Sequence, residues 1–279
     1  MIVDFHSHTF PQRIAAAAID KLQHASRTVA FSSGTAMGLC DSMKRAGIDY
    51  AVVLPVVTNP NKTTSINDLS IELSERDTLV YFGGIHPDSP DMRCELARLA
   101  SAGVKGVKIH PVYQNVDITD VRYLRILDRA GELGLTVLMH AGADIGFPGV
   151  DRCAPSAIAD TLWQVGPVPL VCAHMGGWRC WERVIDALAD TSVMLDTAFS
   201  LGDLTPLAPG VEEPDQLNML GETAFCEIVR AFGAQRVLFG TDSPWGDQAQ
   251  CVAQIRSLPL TPAEKDAILG GNAQKLLGL

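Results

Sequence analysis

The sequence predicts a closed (β/α)8 barrel, a TIM barrel, as a single domain over residues 1–279, and three observations point there. Eight short, β-branched runs alternate with helical stretches. Every connection between them exceeds the roughly 10–12 residues that a parallel crossover needs. A chain of 279 residues, 19% of them charged, suits strands covered on both faces, since barrels take about 250 residues and ordinary chains carry about 25% charge. An open doubly wound sheet is the alternative, but no strand-to-helix turn carries GxGxxG or a P-loop.

In order, the expected strands are Ile2–His8, Asp49–Leu54, Leu79–His86, Lys105–His110, Leu135–His140, Pro169–His174, Ser192–Thr197 and Arg236–Asp242. The helices between them are punctuated. Ser89-Pro90 reads as an N-cap with a proline in the first turn, and Met92, Leu96, Leu99 and Ala100 share a face before Gly103. Val121, Leu124, Leu127 and Ala130 repeat the stripe before Gly134, and Thr261-Pro262-Ala263-Glu264 is a capping box. The longest connections follow strands 1 and 7. Residues 9–35 and 198–220 are therefore expected as insertions above the barrel mouth, brought close together by closure.

Composition narrows the function. The net charge is −10, and no basic cluster denser than Lys44-Arg45 offers a footprint for nucleic acid. No apolar run approaches the ~20 residues of a membrane span. The opening Met1-Ile-Val-Asp-Phe-His6 lacks the basic-then-apolar pattern of a signal peptide, so the cytoplasm is expected. Seven widely spaced cysteines, never CxxC, read as reduced thiols. The expected partner is a small-molecule substrate, with a homo-oligomer left open.

Six of the seven histidines (6, 8, 86, 110, 140 and 174) fall on the predicted C-terminal strand tips, where barrels build their active sites. His6 and His8 are two apart on a strand and share a face, with Cα atoms about 6.5 Å apart. Two imidazoles at that spacing can converge on one ion. Asp4 shares their face one layer deeper, and Asp242 ends strand 8, beside strand 1 in a closed barrel. A lone HxH reads equally well as two surface histidines. The further His and Asp at other strand tips favour one divalent ion; such donors suit zinc, manganese, iron or cobalt without choosing between them, and zinc is the ion expected.

The segments Asp4-Phe-His6-Ser-His8, Gly106-Val-Lys108-Ile-His110-Pro111, Leu138-Met-His140-Ala-Gly142, Ala173-His174-Met-Gly-Gly177 and Phe239-Gly-Thr-Asp242-Ser-Pro244 occur in the order of a known group. With the closing Gly271-Asn272-Ala273, the chain resembles the amidohydrolase superfamily. Within it, the likeness is to the amidohydrolase-related group that includes aminocarboxymuconate semialdehyde decarboxylase and the pyrone dicarboxylate lactonases. The resemblance implies metal ligation by His6, His8, His140 and Asp242, with His174 as a neighbouring histidine that polarises the substrate. It further implies that Asp242 takes a proton from an activated water while His174 supports the oxyanion.

Other residues have plainer alternatives. Lys108 is expected in a structural ion pair with Asp4 or behind the ligands, rather than as a carboxylated bridge between two ions. His110 and His86 bind substrate or simply turn the chain before proline. Trp178 and Trp245 contact substrate or close the barrel top. Arg179 and Arg13 are candidate carboxylate anchors, and Asp196 a partner that orients a ligand. Together these readings predict a metal-dependent hydrolase of a small lactone, ester or cyclic amide. The alternatives are non-oxidative decarboxylation and, from another class, a metal-binding protein without chemistry.

Overall fold

The computed structural model describes residues 1–74, 78–202, 204–208 and 219–279. It divides into two compact units, one of Met1–Ala51 with Asp196–Leu279 and one of Val52–Leu195.

In the second unit, β3 (Leu79–Tyr81) and β4 (Gly83–Gly84) precede β5 (Gly106–Ile109), β6 (Thr136–Met139), β7 (Leu170–Cys172) and β8 (Met194–Asp196). From β4 to β8 each strand pairs in parallel with the next, in registers such as Val107↔Val137, Val137↔Leu170 and Val171↔Met194. β5 and β6 are buried along their whole length, as near-continuous apolar runs require. Helices Met92–Ser101, Val121–Leu133 and Pro155–Leu162 cover them, burying Leu96, Leu99, Tyr123, Ile126, Leu127 and Ile158.

Three details depart from the sequence reading. The run Leu79–His86 is two short strands, Leu79–Tyr81 and Gly83–Gly84, with Phe82 between them still donating its N–H to Val53 O. The helix expected from Ser89-Pro90 starts at Met92, since the Ser89 hydroxyl is engaged by Thr63 Oγ1 at 2.6 Å and by the His86 N–H. The stripe of Val121–Leu133 is rotated: Tyr123, Ile126, Leu127 and Ala130 are buried and Val121 is 54% exposed. Asp120 caps that helix through the Arg122 N–H, and Gly134 ends it at φ 67°, a left-handed turn that glycine makes without a side-chain clash.

In the first unit, β1 (Val3–Ser7) lies parallel to the chain that begins with β9 (Val237–Leu238). Phe5 N–H bonds Phe239 O, Asp242 N–H bonds His6 O, and His8 N–H bonds Ser243 O. On the other flank of β1, Ile2 O accepts from Asp49 and Tyr50, where β2 (Tyr50–Val53) starts. Val3, Phe5, Leu39, Phe225, Val229, Phe239 and Ile268 form this unit's core. The insertion after strand 1 is largely a helix, Gln12–Ser26, and the two insertions do meet. Thr28 and Pro206 form an antiparallel bridge flanked by Val29 N–H to Thr205 O and Leu207 N–H to Arg27 O. Residues 203 and 209–218 of the second insertion lie outside the described residues. The capping box at Thr261 is present in both of its hydrogen bonds. None of the seven cysteines forms a disulfide, and no described helix is long and apolar enough to cross a membrane.

Candidate metal centre

The period-two alternation of β1 puts Asp4, His6 and His8 on one face. Asp4 is fully buried and accepts from the His6 N–H, the Thr241 N–H and hydroxyl, and Gln248 Nε2. Burial raises its pKa to about 6 despite those donors. Its place is structural: it ties β1 to the segment carrying Asp242. Above it, His6 Nε2 lies 3.2 Å from His8 Nε2, and the two stand 3.5 and 3.1 Å from Asp242 Oδ1.

These edges fit an ion. Ligand bonds of about 2.0–2.1 Å in a tetrahedron place donor atoms about 3.3–3.4 Å apart. The protons agree as well. His6 Nδ1 is 2.8 Å from Oδ2 of the fully buried Asp196, whose other oxygen accepts from the Ala198 N–H. A carboxylate accepts, so Nδ1 carries the proton and Nε2 presents its lone pair. Asp242 itself sits at φ 60°, a left-handed conformation that costs a non-glycine residue about 1–3 kcal/mol and recurs at functional sites.

The second unit carries imidazoles at the tips of β5, β6 and β7. His140 Nδ1 is 3.0 Å from His174 Nε2, and His140 Nε2 meets Ala143 O at 2.9 Å. A carbonyl only accepts, so His140 holds its proton on Nε2 and its lone pair on Nδ1, toward His174. His174 and the following Met175 are both left-handed, at φ 58° and 51°. The loop bearing Ala143 is pinned by Ala143 N–H to Trp178 O and Trp178 N–H to Ala141 O. Gly142, at φ 86°, is required there, because a Cβ would collide with the backbone of Trp178.

Other expected residues fall as follows. His110 is buried and stacks on His140, with ring centroids 4.1 Å apart, while its Nδ1 accepts the Tyr113 N–H. His86 is buried, caps its own turn by accepting the Asp88 N–H, and has its pKa lowered by burial. Lys108 is buried within β5. Trp178 is 7% exposed, with the Arg179 guanidinium 4.9 Å over its ring, and burial lowers the Arg179 pKa. Trp245 lines a cavity of the first unit with Phe31, Phe199 and Thr241. Arg13 is exposed on the Gln12–Ser26 helix.

Two residues escaped the sequence reading. Gln114 Oε1 accepts from the His110 N–H and the Tyr123 hydroxyl, while its Nε2 donates to Val57 O and Ile85 O, which ties three strand tips together. Asp144 sits beside His110 and His140. Its signal was present as an acid four residues beyond a strand-tip histidine, within a glycine-containing loop.

The Amidohydrolase family model matches residues 3–279. No curated protein matches the chain. An uncharacterized TIM-barrel protein from Bordetella bronchiseptica is 19% identical over 99% of this chain and 98% of that one, with a TM-score of 0.78. A 5-carboxyvanillate decarboxylase from Novosphingobium aromaticivorans, solved with bound manganese and 3-methoxy-4-hydroxy-5-nitrobenzoic acid, is 13% identical. That match covers 100% and 97% of the two chains at a TM-score of 0.70. A Pseudomonas putida protein with the inferred name 2-pyrone-4,6-dicarboxylic acid hydrolase is 18% identical over 99% and 97%, with a TM-score of 0.64. The fold shared with these structures is the TIM barrel expected from the sequence.

Proposed function

The chain belongs to the Amidohydrolase family of metal-dependent enzymes, and on that premise we propose that it removes CO2 from a small carboxylic acid without an oxidant. Sequence alone puts hydrolysis first. Full-length likeness to a solved decarboxylase reverses the order. The observation that carries the metal-dependent part is the set His6 Nε2, His8 Nε2 and Asp242 Oδ1, with edges of 3.1–3.5 Å and a proton placement that presents the His6 Nε2 lone pair.

In this reading His6, His8 and Asp242 hold one divalent ion, and His140 joins them on the strength of the motif order. The ion, when bound, supplies Lewis acidity toward the substrate's oxygens. Nitrogen and carboxylate donors suit zinc or manganese, and the neighbour's manganese makes that ion as strong a candidate as zinc. Arg179 is the residue suited to hold a substrate carboxylate, because its guanidinium is already half-desolvated over Trp178. Breaking the C–CO2 bond leaves an electron pair on carbon, which takes up a proton that Asp242 would first accept from an ionising substrate hydroxyl or from water and then pass on. His174 Nε2–H, which points at the His140 Nδ1 lone pair at 3.0 Å, would turn to a substrate oxygen when that lone pair holds the ion, and so stabilise the oxygen's charge.

Hydrolysis of a lactone is the second reading, favoured by the Pseudomonas putida neighbour. The manganese- or zinc-loaded protein should be screened on hydroxylated benzoates and lactone dicarboxylates in ¹⁸O-water. Decarboxylation predicts CO2 release and no solvent oxygen in the organic product. Label in a product carboxylate would instead establish hydrolysis.

A further inference from the structure

Asp144 lies outside every motif above, yet its carboxylate faces two imidazoles. Oδ2 stands 3.5 Å from His110 Nε2 and 3.9 Å from His140 Nε2, and the side chain is only 10% exposed. The three side chains have the composition of a second cation site, with one candidate donor atom from each lying within 4.8 Å of the others. Their protons argue against it. Ala143 O can only accept, so His140 Nε2 is an N–H. The Tyr113 N–H can only donate, so His110 Nδ1 is a lone pair and the neutral ring carries its proton on Nε2. Both nitrogens turned toward Asp144 are therefore donors, which a carboxylate satisfies and a cation cannot use.

We propose that Asp144 is a positioning residue that fixes His140 as its Nε2–H tautomer and thereby sets the strength of Nδ1 as a metal donor. The proposal rests on the reading of His140 as a ligand. Asp144 acts through both oxygens. Oδ1 accepts the Gly146 N–H at 2.8 Å, which shapes the turn that carries Ala143 O. Oδ2 places negative charge beside Nε2–H, drawing on that proton and raising the electron density at Nδ1. The stacked His110, 10° from parallel to His140, shares the same carboxylate and keeps the ring plane fixed.

The test is Asp144→Asn, which keeps an oxygen for the Gly146 N–H and removes the charge. In metal-stripped protein, nitrogen-15 NMR of the histidines should show His140 as Nε2–H in the parent, with more Nδ1–H in the variant. Zinc affinity, read by chelator competition, should fall about ten- to hundredfold. Asp144→Glu, which keeps the charge, should hold more of that affinity than the Asn variant even if both melt early. Unchanged tautomer and affinity in Asp144→Asn, the reverse order of Glu and Asn, or two zinc ions per chain would each overturn the proposal. His140→Gln separates the two layers. Parent-like zinc affinity there would remove His140 from the ligand set, while the metal-free NMR result would still judge Asp144 independently.

Discussion

The histidines of the two units are aimed by different means. In the first unit, His6 is held by a buried side-chain carboxylate, Asp196, and its strand is locked to its neighbour through Asp4, Thr241 and Gln248. In the second, His140 is held by a backbone carbonyl in a loop, and the loop is held by the backbone of Trp178 and by Asp144. The first arrangement depends on residue identities, the second on chain path. Substitutions of the side chains that aim His6 should therefore act through metal affinity, whereas substitutions along the second unit's loop backbone, Gly142 above all, should act through backbone geometry.

The largest effect is expected from His6→Ala or His8→Ala. Losing one donor of an open site should remove most bound metal and all detectable turnover, as elemental analysis and assay would report. A double variant with full metal occupancy would break the comparison at its root. Gly142→Ala should come next, costing about 2–4 kcal/mol in denaturant unfolding, since φ 86° and the contact with Trp178 both oppose a side chain. Asp196→Asn should leave the fold intact and weaken metal binding about ten- to hundredfold by chelator competition. If Gly142→Ala instead lowered metal affinity without lowering stability, the distinction drawn between the two units would fail.

The smallest effect concerns pH. Burial keeps the folded pKa of His86 below the 6.5 of the unfolded chain. Between those values the unfolded state binds more protons, so stability rises with pH. The contribution of His86 is complete above pH 6.5 and is lost as pH falls through its folded pKa. His86→Gln should flatten the slope of stability against pH just below neutrality, as measured by urea midpoints, and an unchanged slope would contradict the assignment.

What is legible in the sequence follows the same division. Strand tips announce themselves as apolar runs ending in a polar residue, so spacing and residue type suffice to locate His6, His8, His140, His174 and Asp242. Asp196 is visible as the acid ending strand 7. The Ala143 carbonyl has no side-chain signature, and Gln114 reaches the tips of neighbouring strands from a four-residue helix that sequence spacing does not forecast. The break at Phe82 is equally hidden, because both halves of that run read as one strand. Val121 misleads for another reason: its helix offers two adjacent apolar stripes, and packing chooses the one through Tyr123.

The pairing of β1 with the segment around Asp242 also bears on how the protein is made. Asp4 and Thr241 are hydrogen-bonded across 237 residues of sequence, whereas β5 to β8 of the second unit pair with strands that follow soon after them in the chain. Local pairings form early and distant ones late. During synthesis, from the N-terminus onward, the second unit's sheet can assemble as its strands emerge. His6 and His8 are made well before Asp242, so the donor set proposed for them is complete only once the chain through Asp242 has emerged. If the three residues hold an ion as proposed, its loading is a late event in biogenesis, and ribosome-bound chains stalled before residue 236 should fold the second unit's sheet while failing to retain zinc or manganese through His6 and His8.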